Sequence, residues 1–345
     1  MLEQQISRWI ARQDDGRSIS VASDLPVVLA TDIGCSRKEN QDRVAAMRVH
    51  AGYPSNISFV CVAVCDGMGG MSDGGASATL ALSSFLTELV RQRRLRPEEK
   101  LKSSIEYANA QVFNFVKAKG GATLSAVLLE DGKAFSANVG DSRIYVDRTN
   151  MDERCLERAT VDDNLSEAFG GHGKELVQFV GIGEGISPHI KALPEQTKSF
   201  ILTTDGVHFI DEKVFSKVFL IASDLRQGVE RLMDIAEWHG GPDNATIAAF
   251  DLEHFLQFPL VHEGGHVELW NAFGNLQLMW ANKEDEDQNL PSSKARVEVP
   301  VNIEEKDAKA TRKPPRKRAK KKKKLGDESD LEQFEIDIRL GEEEG

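Results

Sequence analysis

Residues 59–65 form an almost unbroken apolar run, which limits the folds open to this chain more than any other feature does. The run, FVCVAVC, is rich in Val and is followed by Gly-rich sequence, which predicts a buried strand. Apolar residues then recur at helical spacing over residues 82–90 and, after Pro97, over residues 101–115. These patterns predict two amphipathic helices that follow one another directly in sequence.

The remaining predicted elements do not follow a regular strand–helix–strand repeat. Short apolar segments at residues 124–129, 134–139 and 143–146 are separated by turn signals rich in Gly and Asp, which predicts an antiparallel meander. Two more strands and a third helix are predicted at residues 200–203, 245–250 and 225–236. Asp224 is the expected N-cap of that helix. Helices in pairs and strands in hairpins indicate an α+β layered domain.

Charge is distributed unevenly along the chain. The 345 residues carry a formal charge of −12 and are 40% hydrophobic. Residues 306–324 carry +11 and residues 326–345 carry −8, so the rest of the chain carries −15. No apolar run approaches the roughly 20 residues of a transmembrane helix, and the N-terminus lacks the apolar stretch of a signal peptide. We expect a globular protein of the cytoplasm (or of the nucleus, in a eukaryote) and exclude a collagen and an integral membrane protein.

The four cysteines do not form a recognisable framework. Cys61 and Cys65 stand four apart within the predicted strand, without the CxxC spacing of a zinc site, and Cys35 and Cys155 are isolated. Four cysteines are too few for a disulfide scaffold in a chain of this length. We expect reduced thiols that act as small buried residues, and their spacing argues against zinc.

Four aspartates stand beside glycine at the ends of predicted strands. Asp66 and Asp205 directly follow strands, and Asp141 follows a strand of the meander. Asp243 directly precedes the last strand of the domain. Carboxylates on one edge of a sheet repel one another and are costly to bury, and a hard divalent cation such as Mg²⁺ or Mn²⁺ compensates for both effects. The alternative, that each Asp is an ordinary turn residue, stays open on spacing alone.

A series of short motifs over residues 27–252 resembles one known family. The motifs are GCSRKENQDR at residues 34–43, DGMGG at 66–70, GAT at 121–123, NVGDSR at 138–143, TDG at 204–206 and DNAT at 243–246. Their types and order resemble the metal-dependent protein phosphatases (PPM, or type 2C serine/threonine phosphatases), in a bacterial-like variant. The resemblance implies a four-layer sandwich of two antiparallel sheets flanked by helix pairs. It also implies a hydrolase that removes phosphate from phosphoserine and phosphothreonine in signalling proteins.

The same resemblance implies a centre of two divalent cations, Mn²⁺ or Mg²⁺, with a weaker third. Asp66 would bridge the two ions, the Gly67 carbonyl would hold one of them, and Asp205 and Asp243 would hold the other. Asp141, with Asp205, would offer the third site. A hydroxide shared by the two metals would attack phosphorus.

Two further residues complete the implied site around the metals. Arg37 would grip the substrate phosphate, for which its planar fork is suited. Asp42 would order metal-bound water. The expected substrate is a phosphorylated protein, including a Ser/Thr kinase or the target of one.

The sequence departs from the family pattern at the metal site and at the general acid. Gln41 stands where the family often has Glu, which removes one negative charge and predicts weaker metal binding. Met68 and Met71 occupy the two positions where the family has a candidate His acid, so the leaving group would take its proton from water. A pseudophosphatase or scaffold is therefore an alternative, and hydrolysis of small phosphorylated molecules is another. His208 is expected to pack or to lie at the surface, not to act as a base.

The chain divides into four predicted parts. Residues 1–252 are the catalytic domain, and 253–282 are an accessory segment with a predicted hairpin that includes Trp270 and Trp280. Residues 283–330 are predicted to be a disordered linker that contains the basic block 306–324. The tip, 331–345, alternates apolar and charged residues like a strand that could bind a partner or this same chain. Nucleic acid is a less favoured partner because no aromatic residue interrupts the block.

Overall fold

The structure is a computed structural model. It describes residues 2–12, 16–50, 58–68, 73–117, 119–150, 153–170, 173, 175–257 and 265–279, with the backbone of 335–340. The predicted linker at 283–330, together with Met71 and Trp280, lies outside the described residues.

The described residues form fourteen strands and eight helices. The strands in chain order are β1 (Ser18–Val21), β2 (Val27–Asp32), β3 (Arg43–His50), β4 (Ser58–Cys65), β5 (Leu124–Glu130), β6 (Lys133–Val139), β7 (Arg143–Asn150), β8 (Glu153–Arg158), β9 (His189–Ala192), β10 (Thr197–Thr203), β11 (Ala245–Asp251), β12 (His266–Trp270), β13 (Gly274–Met279) and β14 (Glu335–Leu340). The helices are α1 (Leu2–Ile10), α2 (Gly74–Arg91), α3 (Pro97–Val116), α4 (Leu165–Phe169), α5 (Asp205–His208), α6 (Glu212–Leu220), α7 (Leu225–Trp238) and α8 (Leu252–Gln257).

All pairs of neighbouring strands are antiparallel, and they form two sheets. The six-stranded sheet has the order β1-β2-β11-β10-β7-β8. The eight-stranded sheet has the order β14-β13-β12-β3-β4-β5-β6-β9. The predicted run at 59–65 is β4, which lies inside the larger sheet between β3 and β5.

Three hydrophobic clusters separate four layers. The first lies between the larger sheet and helices α1, α2 and α3, and includes Phe59 and Phe85. The second fills the space between the two sheets, where Phe200 and Phe250 stack with ring centroids 5.1 Å apart. The third packs α6 and α7 against the smaller sheet. The predicted α+β sandwich with helices on both faces is therefore confirmed.

Local signals located the three predicted helices, which are α2, α3 and α7. Asp224 caps α7 as predicted, because its side chain accepts a hydrogen bond from the Gln227 N–H at 2.8 Å. Helix α3 begins at Pro97, whose missing N–H would be unpaired in the first turn anyway. No helix in the described ranges is both long and apolar enough to cross a membrane.

The segment after α8 extends the larger sheet. Strands β12 and β13 form a hairpin, and β12 pairs with β3 so that His266 faces His50 and Trp270 faces Ala46. Strand β14, from the alternating tip, pairs with β13 of the same chain. The hairpin therefore continues the sheet that carries β3 and β4.

The cysteines match the expectation of burial only in part. Cys61 and Cys65 are buried within β4 and carry free thiols. Burial raises the pKa of both thiols, so they stay protonated at neutral pH. Cys35 is exposed and Cys155 is half-buried, so the expectation was wrong for these two. Cys35 lies in a loop, and Cys155 lies on β8, an edge strand.

Candidate metal centre

The antiparallel registers bring the predicted aspartates to one end of the sandwich. In the larger sheet, Arg43 at the start of β3 faces Cys65 at the end of β4, so Asp42 and Asp66 are close. In the smaller sheet, the end of β10 lies beside the start of β11. Asp205, the first residue of α5, follows β10, and Asp243 precedes β11. These four carboxylates thus come from both sheets.

The carboxylates repel one another strongly. Burial, reinforced by the negative charges of Asp42, Asp205, Asp141 and Asp243, raises the pKa of Asp66 well above its ordinary value. Asp66 and these four residues include every aspartate that the sequence analysis selected. Asp141 is thus close enough for its charge to act on Asp66. A concentration of carboxylates with raised pKa values favours any cation that can replace protons, so the donor set fits hard divalent ions.

Asp42 and Asp141 have the same character. Burial raises the pKa of Asp42 to about 7, although a hydrogen bond from the Thr204 hydroxyl to Asp42 Oδ2 at 2.8 Å opposes the shift. Burial also raises the pKa of Asp141 to about 7, with added repulsion from Asp205 and Asp162. Both carboxylates would therefore gain from a nearby positive charge.

Arg37 supplies positive charge at this end of the molecule. Its Nη2 donates to Asp243 Oδ2 at 2.5 Å, and both side chains are partly exposed. That hydrogen bond, together with the charges of Asp243, Asp205 and Asp66, raises the pKa of the guanidinium. Arg37 therefore lies within the group of carboxylates, where an anionic substrate would approach.

Two glycines of the Asp-Gly motifs are required by close packing. A Cβ at Gly67 would collide with the carbonyl of Gly74, and one at Gly206 would collide with the carbonyl of Asn244. Glycine is the residue that allows such close backbone contact. The motif therefore places each aspartate where a strand end meets another segment of backbone.

Gln41 is adjacent to the Asp66-Gly67 turn. Its backbone carbonyl accepts the Gly67 N–H at 3.2 Å. Its side-chain Nε2 lies 3.4 Å from Glu39 Oε2, and its amide packs where a Cβ on Gly74 would be. The side chain thus contacts Glu39 and the first turn of α2.

Three polar residues that hold the loops were not assigned a role from sequence. Thr123 Oγ1 accepts the Asp66 N–H at 2.9 Å. Asn244 Oδ1 accepts the Gln41 N–H at 2.8 Å, and its Nδ2 donates to the carbonyl of Ile33 at 2.8 Å. Thr204 is the hydrogen-bond donor to Asp42. All three residues belong to the family motifs, and that membership was the only indication of a role in the sequence. Their hydrogen-bond partners are distant in sequence and could not be predicted.

His208 has the packing role that was expected. It is buried, and its Nδ1 lies 2.9 Å from the Thr203 hydroxyl. Burial and the charges of Arg143 and Arg158 lower the pKa of His208 well below its ordinary value, so the ring is neutral at physiological pH.

A cleft opens beside the Asp66-Gly67 turn. Its volume is about 410 Å³. It is lined by Met68, Asp73, Gly74, Ser77, Phe115, Val116, Lys119 and Gly120. Its walls combine apolar side chains with one acidic and one basic group. Met68, in a position where the family has a candidate acid, therefore contributes to this lining.

Sequence comparisons identify the family. The profile described as Protein phosphatase 2C matches residues 36–238. A putative protein phosphatase 2C-type of Streptococcus pyogenes is 24% identical over 242 residues, which are 65% of this chain and 96% of the relative. The serine/threonine phosphatase stp of Listeria monocytogenes is 23% identical over 241 residues, 63% of this chain and 92% of the relative.

Solved structures agree with this assignment at the level of fold. The catalytic domain of the phosphatase PstP, solved in complex with two manganese ions, superposes with a TM-score of 0.51 at 23% identity, covering 66% of this chain and 97% of that domain. Stp1 from Staphylococcus aureus superposes with a TM-score of 0.54 at 21% identity, covering 69% of this chain and 99% of Stp1. The chain belongs to the protein phosphatase 2C family, which confirms the resemblance read from the motifs.

Proposed function

We propose that this chain is a protein serine/threonine phosphatase whose carboxylate cluster works with two divalent cations. The observation that carries the proposal is the convergence of four aspartates on Asp66, with raised pKa values for Asp42, Asp66 and Asp141. Membership of the protein phosphatase 2C family supports the reaction class. The two manganese ions in the PstP complex support manganese as a working ion, with magnesium as the alternative.

Different carboxylates would bind different ions. Asp66 would hold both ions, the Gly67 carbonyl would hold one of them, and Asp205 and Asp243 would hold the other. Asp141 would share a weaker third ion with Asp205. When bound, the ions would supply positive charge to the phosphoryl oxygens and lower the pKa of the attacking water. Gln41 could add its Oε1 as a further oxygen ligand, because its contact with Glu39 uses Nε2.

Arg37 and Asp42 would act on the reactants from two sides. The guanidinium would exchange its carboxylate partner Asp243 for two oxygens of the substrate phosphate, since both acceptors suit its planar fork. Asp42, held by Thr204, would accept a hydrogen bond from the attacking water and orient it. Positioning and charge neutralisation are most of what phosphoryl transfer requires of a protein.

The leaving group receives no proton from the side chain at position 68. Attack of water forms the new P–O bond, and the bond from phosphorus to the serine or threonine oxygen breaks. Because Met68 cannot donate a proton, the departing oxygen takes one from water, and the products are inorganic phosphate and a free hydroxyl. Residues that flank the phosphorylated side chain would lie in the cleft beside Met68.

Substrates and partners follow from the chemistry and the charge distribution. The proposed substrates are phosphorylated cytoplasmic proteins, including a Ser/Thr kinase or its targets. The catalytic part would be residues 1–252, with the hairpin of 253–282 as an accessory to its sheet. The basic block and tip, at 306–324 and 331–345, would serve partners or location. A partner strand would either add to the outer side of β14, the edge strand of the larger sheet, or replace β14 on β13.

Phosphopeptide hydrolysis by the full chain tests this function. With Mn²⁺ or Mg²⁺, we expect wild type to release phosphate and Asp66→Asn to lose about 10²–10³-fold or more of that activity, because a preorganised charge is lost. Asp131→Asn is the matched control, since Asp131 lies in an exposed turn with φ 50°, where Asn is tolerated. An inert wild type would favour the pseudophosphatase alternative. Activity on small phosphate esters but not on phosphopeptides would favour the small-molecule alternative.

A further inference from the structure

A second cluster of potential metal ligands lies at the far end of β3, seven residues beyond Arg43. His50 ends β3, and His266 and Glu268 lie on β12. At about 3.3 Å per residue, His50 is roughly 23 Å along the strand from Arg43, beside which the aspartates cluster. The cluster is thus well separated from the proposed catalytic centre.

The strand register explains why these three residues meet. His266 is the direct cross-strand partner of His50, and Glu268, two residues on, projects from the same face of the sheet. The two imidazole centroids are 4.7 Å apart, and His266 Nε2 is 3.7 Å from Glu268 Oε2. One ligand atom from each residue lies within 4.8 Å of the other two.

The surroundings hold the three side chains in place. His50 and His266 are 2% and 8% exposed. His50 Nδ1 lies 3.3 Å from the Ser58 hydroxyl, so Nε2 is the nitrogen of that ring that would ligate a metal. Arg48 Nε donates to Glu268 Oε2 at 2.6 Å and fixes the carboxylate. Such outer contacts orient metal ligands in proteins.

We propose that His50, His266 and Glu268 bind a zinc ion, with water as the fourth ligand. Two imidazoles and one carboxylate are a donor set that zinc accepts, whereas Mg²⁺ and Mn²⁺ prefer oxygen alone. Zinc–ligand distances of about 2.0–2.1 Å place the corners of a tetrahedron roughly 3.4 Å apart, so small side-chain rotations complete the site. The argument against zinc from the sequence concerned cysteine spacing, and these ligands are not cysteines.

The charge of Arg48 limits how tightly the ion is held. Its guanidinium donates hydrogen bonds to Glu268 Oε2. Zinc would therefore bind Glu268 Oε1, or bind Oε2 in competition with Arg48. A site with one carboxylate and a nearby cation binds zinc more weakly than a closed structural site does.

Bound zinc would join two strands that are far apart in sequence. His50 lies on β3, and the other two ligands lie on β12 of the accessory hairpin. The ion would therefore fasten the hairpin to the sheet that carries Asp66, without contacting the catalytic centre. Zinc bound only to the folded state raises the unfolding temperature by mass action.

Zinc counting on the full chain tests the site. After equilibrium dialysis against zinc in excess magnesium, we expect wild type to retain one more zinc per chain than His50→Gln/His266→Gln. His239→Gln, which changes an exposed histidine at the end of α7, should retain the wild-type number. We also expect zinc to raise the unfolding temperature of wild type more than that of the double variant. Equal zinc counts in all three proteins would overturn the proposal.

A measurement on wild type alone covers the case in which the double variant fails to fold. Zinc-soaked crystals measured at the zinc absorption edge should show an anomalous peak between His50, His266 and Glu268. Peaks confined to the aspartate cluster would overturn the proposal, since zinc would then be bound only at the catalytic end.

Discussion

Asp66 and Glu268 lie near opposite ends of strand β3, and the charges that surround the two carboxylates are of opposite sign. At the catalytic end, burial and four neighbouring carboxylates raise the pKa of Asp66 well above its ordinary value. At the other end, burial acts on Glu268 in the same direction, but His266 and Arg48 lower its pKa to about 2. The neighbours, more than burial, decide the sign of the shift.

The aspartate cluster would be stabilised by a cation from solution, whereas Glu268 already has a cation beside it, the guanidinium of Arg48. The aspartate cluster has Arg37 on one side, bound to Asp243, and otherwise gains positive charge by binding metal. Glu268 is already neutralised by a buried arginine, so its end of the sheet is stable without metal and would bind zinc only as an addition. The two ends of the same strand therefore differ in the charges that surround their carboxylates.

Substitution of Arg37 should lower the rate of phosphopeptide hydrolysis strongly. We expect Arg37→Ala to lower kcat/KM for a phosphopeptide by about 10²–10³-fold, because phosphate charge is no longer neutralised. Manganese affinity should not fall, since Asp243 loses a competing partner. Steady-state kinetics and manganese titration measure the two effects separately.

A surface arginine provides the control for this experiment. Arg226→Ala removes an exposed arginine of α7 that pairs with Glu230, and should leave both quantities unchanged. Arg37→Lys keeps the charge but loses the planar fork, and should recover only part of the rate. Wild-type kinetics in Arg37→Ala would show that the catalytic end neutralises phosphate without this residue.

Substitution of Glu268 should affect stability and not catalysis. Its pKa lies below the ordinary value of 4.5, so the carboxylate stabilises the folded protein fully above that pH, and the contribution is lost as the pH falls towards 2. We expect Glu268→Gln to lower the free energy of unfolding at pH 7 by about 3 kcal/mol. Urea unfolding of chelator-treated protein from pH 7 to pH 3 should show this difference narrowing below pH 4.5.

The exposed residue Glu253 offers a control for the pH series. Glu253→Gln, on α8, should unfold like wild type at every pH. The difference in the free energy of unfolding between Glu268→Gln and wild type could instead stay constant down to pH 3. That result would mean that the charge of Glu268 does not stabilise the folded protein.

The sequence was sufficient to predict that the aspartates lie together, because the signals for their positions are local. An apolar strand followed by Asp-Gly marks where a strand stops, and antiparallel pairing then brings Asp66 and Asp205 to the same end of the sandwich. The roles of Thr204 and Asn244 could not be predicted, because their hydrogen bonds reach Asp42 and Gln41 across more than 160 residues. The orientation of Gln41 depends on its contacts with Glu39 and Gly74, which the family pattern does not specify.

The histidine cluster at the other end of β3 could not be predicted from the sequence. His50 and His266 are 216 residues apart, and nothing local indicates that β12 pairs with β3 in this register. A hairpin was predicted around Trp270 from its apolar pattern, but the partner of a hairpin depends on which sheet edge is open. Here the β3 edge accepts it, and this pairing creates the histidine cluster.

Metal dependence of wild-type hydrolysis tests the central claim most directly. Full-length protein stripped with a chelator should release no phosphate from a phosphopeptide, and titration with Mn²⁺ should restore activity as at least two ions bind per chain. Full activity in the stripped protein, or binding of two manganese ions without any phosphate release, would contradict the claim that the carboxylate end of β3 is a metal-dependent phosphatase centre.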